Sequence, residues 1–256
     1  MRRHHTDGPI AWTEAGSGDP VVFLHPIVAT RSFWDPQLDD LADTWRCLAW
    51  DAPGYGSSAP APSAGFVDVA DALHAFLDTV GLARVDLVGL SLGAMHAMHF
   101  ARRHPTRVRR LVLADTSPAF GVDPDVWLAD WLAPLDRGDT PATIARGVIE
   151  SVIAQPLPDA TMTALIESMG RISADAFRAA SHTLVSHDLR DRLDEIPHET
   201  LVVVGADDAE TPLEYAEQLV AGLPAARLGI IDGAGHLSSR EASAAFNDAV
   251  RGFLRR

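Results

Sequence analysis

The stretch "VDLVGLSLGAMHAMHF", residues 85–100, holds a serine between two glycines. A serine hydroxyl is a poor nucleophile at neutral pH and needs a base to take its proton and an acid to orient that base. Candidates for both lie downstream. "VVVGADDAETP" ends one apolar run with Asp207 and Asp208, and "IIDGAGHLS" ends the next with His236 among glycines. Of the eleven histidines only His236 has this setting. The others, including His4, His5, His96, His99 and His104, lack metal-ligand spacing backed by cysteines or carboxylates, so neither a metal nor a cofactor is expected.

These residues need elements to position them. "PVVFLH" (20–25), "RCLAWDA" (46–52), "VDLVGL" (85–90), "RRLVLAD" (109–115), "TLVVVGA" (200–206) and "RLGIID" (227–232) are short apolar runs bounded by turn residues, as strands covered on both faces would be. Amphipathic stretches separate them: Val69, Leu73, Phe76, Leu77 and Val80 fall on one helical face. This alternation predicts an α/β fold with a mostly parallel central sheet flanked by helices. "IAWTEAG" (10–16) adds an edge strand, and "SSAPAPSAGF" (57–66) reads as a surface connection.

In that frame G-x-S-x-G joins a strand to a helix. The serine occupies a tight, strained turn that lifts its oxygen clear of the sheet, and the glycines avoid collision with neighbouring elements. Ala94, Ala97 and Ala101 let the helix approach the sheet closely. Ser91, the aspartate pair and His236 then meet at one sheet edge, outside the carboxyl ends of the strands where ligands of such sheets bind.

The rhythm breaks between Pro118 and Leu193. Only helical patterns occur there: "DPDVWLADWLAPL", "TPATIARGVIESVIA", "DATMTALIESMG" and "SADAFRAASHTLVSH", with helix starts at Thr140-Pro141 and Ser173. The expected organisation is a core of residues 1–118 and 195–256 carrying a helical lid at 119–194.

Composition bounds the function. With 47% hydrophobic and 22% charged residues, 256 residues can bury a substantial core. Thirty-five acidic against 21 basic residues give a formal charge of −14, which opposes binding to nucleic acid and anionic membranes. Neither a signal-peptide pattern nor a membrane-length apolar window is present, and the single Cys47 permits no internal disulfide, so a cytoplasmic protein is expected.

The pieces "VVFLHPI", "WDAPGYGSS", "VGLSLGA", "VVVGADDAETP" and "GAGH", in this order, resemble the α/β-hydrolase superfamily over nearly the whole chain. The resemblance implies Ser91 as nucleophile, His236 as base and Asp208 as orienting acid, since the family places its acid three residues after the glycine that is Gly205 here. Asp115 is the fallback acid. It also implies an oxyanion hole from the backbone N–H groups of Leu92 and Ile27. Where the family commonly has His-Gly, this chain has His25-Pro26, which restricts the shape of that loop.

"HPIVATRSFWDPQLDDLADTWRCLAWDAPGYGSS", "RISADAFRAASHTLVSHDLRDRL" and "GAGHLSSREASAAFN" are most similar to 3-oxoadipate enol-lactonases. The implied activity is cofactor-free hydrolysis of a small ester or lactone, such as an enol lactone, through an acyl-enzyme. The alternatives are a carboxylesterase, a C–C bond hydrolase of ring-cleavage products, and a non-hydrolytic or silent binding protein on the same fold. In the lid, Phe120, Trp127, Trp131 and Met169 are candidates to line the pocket. Arg137, Arg146, Arg171 and Arg178 are candidates to meet a substrate carboxylate.

Overall fold

A computed structural model describes residues 1–60 and 65–255. Residues 61–64, inside the surface connection expected at 57–66, lie outside the described residues. Eight strands form one sheet: β1 (Arg3–His5), β2 (Trp12–Ala15), β3 (Pro20–Leu24), β4 (Arg46–Trp50), β5 (Val85–Leu90), β6 (Val108–Ala114), β7 (Glu199–Gly205) and β8 (Ala226–Ile231). Their order is β1-β2-β4-β3-β5-β6-β7-β8. The pairs β1–β2 and β2–β4 are antiparallel and every other pair is parallel.

The six expected core strands and the strand expected at 10–16 all form, with ends shifted by at most two residues, but that strand, β2, is not the edge, because β1 pairs on its outer side. Two of the shifts have local causes. β4 stops at Trp50 because the Asp51 carboxylate turns back to accept the N–H groups of Arg31 and Ser57. β6 stops at Ala114 because Asp115 takes a left-handed conformation at φ 46°. β1 had no apolar signature, being Arg-His-His, and forms as an exposed outer strand paired to β2.

Helices α1 (Asp35–Leu41), α2 (Phe66–Thr79), α3 (Leu92–Arg103), α4 (Pro124–Asp136), α5 (Pro141–Val152), α6 (Asp159–Met169), α7 (Ala174–Val185), α8 (Leu213–Gly222), α9 (Ser238–Glu241) and α10 (Ser243–Leu254) complete the fold. The stripe on α2 buries Val69, Leu73, Phe76 and Leu77. Helices α4 to α7 form the insertion between β6 and β7, in the four segments that the sequence marks. Thr140 and Thr143 close a reciprocal capping box at α5, and the Ser173 hydroxyl caps α7 by accepting the Ala176 N–H at 3.1 Å. No helix of the described residues is long and apolar enough to cross a membrane.

Every residue of β5 is buried, so its end is fixed from both faces. Directly after it α3 begins, with Ala94, Ala97 and Ala101 fully buried. The helix lies so near β3 that a Cβ on Gly93 would collide with the Leu24 carbonyl, and one on Gly89 with the Gly93 carbonyl. We therefore expect Gly93→Ala to lower unfolding free energy in urea by about 1–3 kcal/mol, the usual cost of overpacking. Gly252→Ala is the control. Position 252 lies in α10 with open space around a new Cβ, and gaining a helix former there should stabilise by roughly 0.5–1 kcal/mol.

Candidate active site

Ser91 occupies the turn between β5 and α3 at φ 54°, ψ −122°, a region that non-glycine residues enter only when their surroundings impose it. Here the surroundings do so: the Ser91 N–H donates to the Ala114 carbonyl at 2.9 Å, and the Ser91 carbonyl accepts the Thr116 hydroxyl at 3.2 Å. The side chain is aimed at His236, and Ser91 Oγ lies 3.0 Å from His236 Nε2. On the other side of the ring, His236 Nδ1 lies 3.0 Å from Asp208 Oδ2. A carboxylate only accepts, so Nδ1 carries the proton, and in the neutral ring Nε2 is left to accept from the serine.

The acid is held as firmly as the base. Asp208 Oδ1 accepts the N–H groups of Glu210 and Thr211, each at 2.9 Å, and Oδ2 accepts the Thr211 hydroxyl at 2.8 Å. Thr211 Oγ1 also stands 3.2 Å from His236 Nδ1. Burial opposes the charge on Asp208, but His236 and these donors outweigh it and hold its pKa below the ordinary value. Burial likewise opposes a charged His236. The hydrogen bond and charge of Asp208, with the charge of Asp115 behind them, outweigh it and raise the imidazole above its ordinary value. Asp207, the neighbouring candidate, is exposed.

Asp115 is not bonded to the imidazole. Its Oδ1 accepts the Gly205 N–H at 3.0 Å, and its Oδ2 accepts the Ser238 N–H at 3.1 Å and the Ser238 hydroxyl at 2.6 Å. It thus ties the end of β7 to the turn after His236. Burial pushes its carboxyl up to about 7 against the pull of His236 and those donors. Glu241 holds the same turn from outside, accepting the N–H groups of Gly235 and Leu237, each at 3.0 Å, and that of Ala154 in the insertion at 2.8 Å. Thr211, Ser238 and Glu241 carry no motif of their own. Their only sequence signal is nearness to Asp208 and His236.

The loop after β3 supplies the opposite wall. The His25 Nδ1–H donates to the Pro26 carbonyl at 2.9 Å, and the Ala29 N–H donates to the same oxygen at 3.2 Å. In a trans peptide the N–H points away from its carbonyl, so these two bonds also fix the direction of the Ile27 N–H. His25 Nε2 accepts the Ala52 N–H at 3.0 Å, and burial lowers the pKa of this ring. Pro26 therefore sits in a braced turn. Leu92 opens α3, and its N–H is among the first four that find no acceptor within a helix.

Ser91, His236 and Ile27 line a cavity of about 270 Å³. Phe120, Trp127, Trp131 and Tyr215 form much of its apolar wall. Met169 does not reach it. The residue is fully buried on the stripe Met162, Leu165, Met169 of α6, on the side where Ser168 Oγ accepts the Thr30 N–H at 2.9 Å, so helical phase turns it into the core. The four candidate arginines of the insertion do not reach the cavity either. Arg137 is exposed beyond α4, Arg146 pairs with Glu150 at 3.3 Å, Arg178 pairs with Asp136 at 2.7 Å, and Arg171 borders a separate surface groove with Arg31 and Arg240. All 21 basic side chains of the protein are arginines, and none of those described lines this cavity, whereas Glu210 does.

This geometry can deliver an activated hydroxyl to a carbonyl at the floor of an apolar chamber, and the relatives of the chain are consistent with it. Residues 19–143 match the family described as alpha/beta hydrolase fold, and residues 179–256 match the one described as TAP-like protein. A pimeloyl-acyl-carrier-protein methyl ester esterase of Neisseria meningitidis serogroup A is 31% identical in an alignment of 245 positions that covers 91% of this chain and 77% of the esterase. A 2-hydroxy-6-oxononadienedioate/2-hydroxy-6-oxononatrienedioate hydrolase of Cupriavidus pinatubonensis is 30% identical over 264 residues, covering 97% of this chain and 91% of its own. Among solved structures, the enol-lactonase of Burkholderia xenovorans LB400 superposes with a TM-score of 0.88 over 99% of this chain and 100% of its own. Its 22% identity establishes a common fold. Architecture and relatives agree that the chain belongs to the α/β-hydrolase superfamily.

Proposed function

We propose that the protein is a serine hydrolase that cleaves small neutral esters through an acyl-enzyme. The observation that carries this reading is the unbroken hydrogen-bond chain from Ser91 through His236 to Asp208, opening into a largely apolar cavity that no described arginine lines. Ser91 Oγ attacks the ester carbonyl carbon while its proton passes to His236 Nε2. The tetrahedral oxyanion is met by the N–H groups of Leu92 and Ile27, donors of a kind worth roughly 3–4 kcal/mol each in the transition state. His236 returns the proton to the departing alkoxide, leaving Ser91 acylated. Water, deprotonated by the same nitrogen, then releases the acid and restores the serine. Residues 119–194 act as the lid, and Trp127 and Trp131 contact the acyl group.

The cavity bears on the choice among ester, lactone and C–C substrates. An enol lactone of a dicarboxylic acid, or a dioate such as that named for the Cupriavidus relative, brings a free carboxylate that must lose hydration on entry. No described arginine lines the cavity to replace that water, and Glu210 repels the charge. The same triad opens lactones as readily as esters, so ring substrates without a carboxylate remain within the reading.

Four outcomes are expected. A fluorophosphonate probe should label the wild type and fail to label Ser91→Ala; labelling that survives the substitution would remove Ser91 from the chemistry. The kcat/KM profile should rise with pH along a limb whose midpoint lies above about 6.5, because the base must be neutral and its pKa is raised. Asp208→Asn should move that limb to lower pH and reduce turnover by about ten thousandfold, as loss of the orienting acid leaves the wrong tautomer, while Asp207→Asn leaves both nearly unchanged. Finally, methyl or nitrophenyl butyrate should be preferred over an enol lactone bearing a carboxylate. The opposite preference would return the assignment to a lactonase of dicarboxylic substrates.

A further inference from the structure

The cavity at Ser91 is small. Its volume of about 270 Å³ falls just under the roughly 300–1,000 Å³ common for ligand pockets, so an ester too long for it has to extend beyond it. Adjoining it is a second, more open depression of about 370 Å³, lined by Val122, Asp123, Val126, Trp127, Asp130 and Trp131. Val122, Trp127 and Trp131 line both spaces, so the two share one wall. That wall is a row of rings. Phe120 meets Trp127 edge-on at 5.2 Å, Trp127 stacks on Trp131 at 5.0 Å, and Trp131 stacks on Phe177 at 5.5 Å. The Trp131 indole N–H donates to Ser181 Oγ at 3.1 Å, which fixes the stack to α7.

Val122 and Val126 are 59% and 61% exposed, and the described chain leaves few large apolar residues so open to water. Both line the outer depression and give it an apolar floor, and Val122 also lines the cavity. We infer that the outer groove beside α4 receives the distal part of a neutral acyl chain whose carbonyl end is at Ser91, making medium- and long-chain esters substrates of this site. The inference rests on the ester-hydrolase reading above and specifies its substrate. Continuity of the wall commits the groove to the substrate itself, because a chain that leaves the cavity along Trp127 and Trp131 meets it next. The groove also sets the charge of the occupant. Asp123 and Asp130 flank it and no cation lines it, so a chain ending in a carboxylate is opposed while a plain hydrocarbon end is not.

The test is a chain-length series of nitrophenyl esters from butyrate to decanoate. Each methylene moved from water onto an apolar wall is worth about fourfold in binding. KM should therefore keep falling beyond the length that fills the cavity. Val126→Asp should reduce the decanoate-to-butyrate ratio of kcat/KM by about tenfold or more, the equivalent of two lost methylenes. Aspartate in the first turn of α4 suits the helix dipole, so the variant should fold. Val126→Phe, which enlarges the apolar floor, should raise the same ratio. Val67→Asp, at an exposed valine on α2, should leave it unchanged. A series that peaks at butyrate, or a Val126→Asp variant that loses both esters equally, overturns the groove.

Binding separates the groove from the chemistry. In Ser91→Ala protein, titration with methyl decanoate and methyl butyrate, followed by tryptophan emission, should give at least tenfold tighter binding of the longer ester, and Val126→Asp should erase that difference. Equal affinities would reject the groove even in a protein whose serine chemistry is intact. Tight decanoate binding in a protein that hydrolyses no ester would instead reject the ester-hydrolase reading.

Discussion

Two backbones touch where α3 crosses the end of β3, and the active site is organised around that contact. Gly93 lies against the carbonyls of Leu24 and His25 with no room for a Cβ, so the helix begins within a few ångströms of the loop that follows β3. The strand must then turn into the helix almost at once, which is what drives Ser91 into its left-handed conformation. The same approach places the opening of α3 beside Ile27. It occurs between β3 and β5, where the chain changes direction across the sheet: β4 is laid on one side of β3 and β5 on the other. Such a switch point leaves a crevice at the carboxyl ends of the strands. One glycine contact therefore sets Ser91, helix N-terminus and crevice together.

The charges beyond that contact follow a second constraint. Two carboxylates and an imidazole are buried together, and an isolated charge there would cost far more than the fold can supply. Each carboxylate is therefore satisfied separately. Asp208 takes the imidazole and three donors from residues 210 and 211, while Asp115 takes donors from β7 and from Ser238 and leaves the ring alone. This division explains why one acid is bonded to His236 while the other fixes the turns and acts on the ring through its charge alone. Glu241 adds a link to the insertion through the Ala154 N–H, and the His236 N–H donates to the Val152 carbonyl at 3.0 Å. The imidazole is thus braced by the core on one side and by the helical insertion on the other.

The sequence displayed whatever depends on local pattern. Strands buried on both faces read as apolar runs, the capping residues Thr140 and Ser173 marked their helices, and G-x-S-x-G announced the turn at Ser91. What depends on long-range packing was not legible. The faces of the insertion helices could not be assigned without knowing their partners, so Met169, apolar and inside the insertion, looked like Trp127 although one enters the core and the other the cavity. The arginines fared the same way. Charge in the sequence says nothing about whether Asp136 or Glu150 will claim it first. Strand β1 escaped notice because an exposed edge strand needs no apolar residues, only backbone partners.

The absence of a cation in the described lining of the cavity carries a further consequence for the proposed reaction. Hydrolysis turns a neutral ester into an acid that ionises at neutral pH, so the product bears a charge the substrate lacked. In this cavity the new carboxylate faces Glu210 and apolar rings, and the protein as a whole carries a formal charge of −14. A cavity lined by arginine would hold substrate and product acid alike, and the product would compete for the site. Here the interactions that admit the ester, apolar contact along Trp127 and Trp131, are indifferent to the charge, while repulsion and lost hydration act on the product alone. In the proposed reaction, the same electrostatics that would oppose carboxylated substrates therefore favour departure of the carboxylate that the chemistry creates.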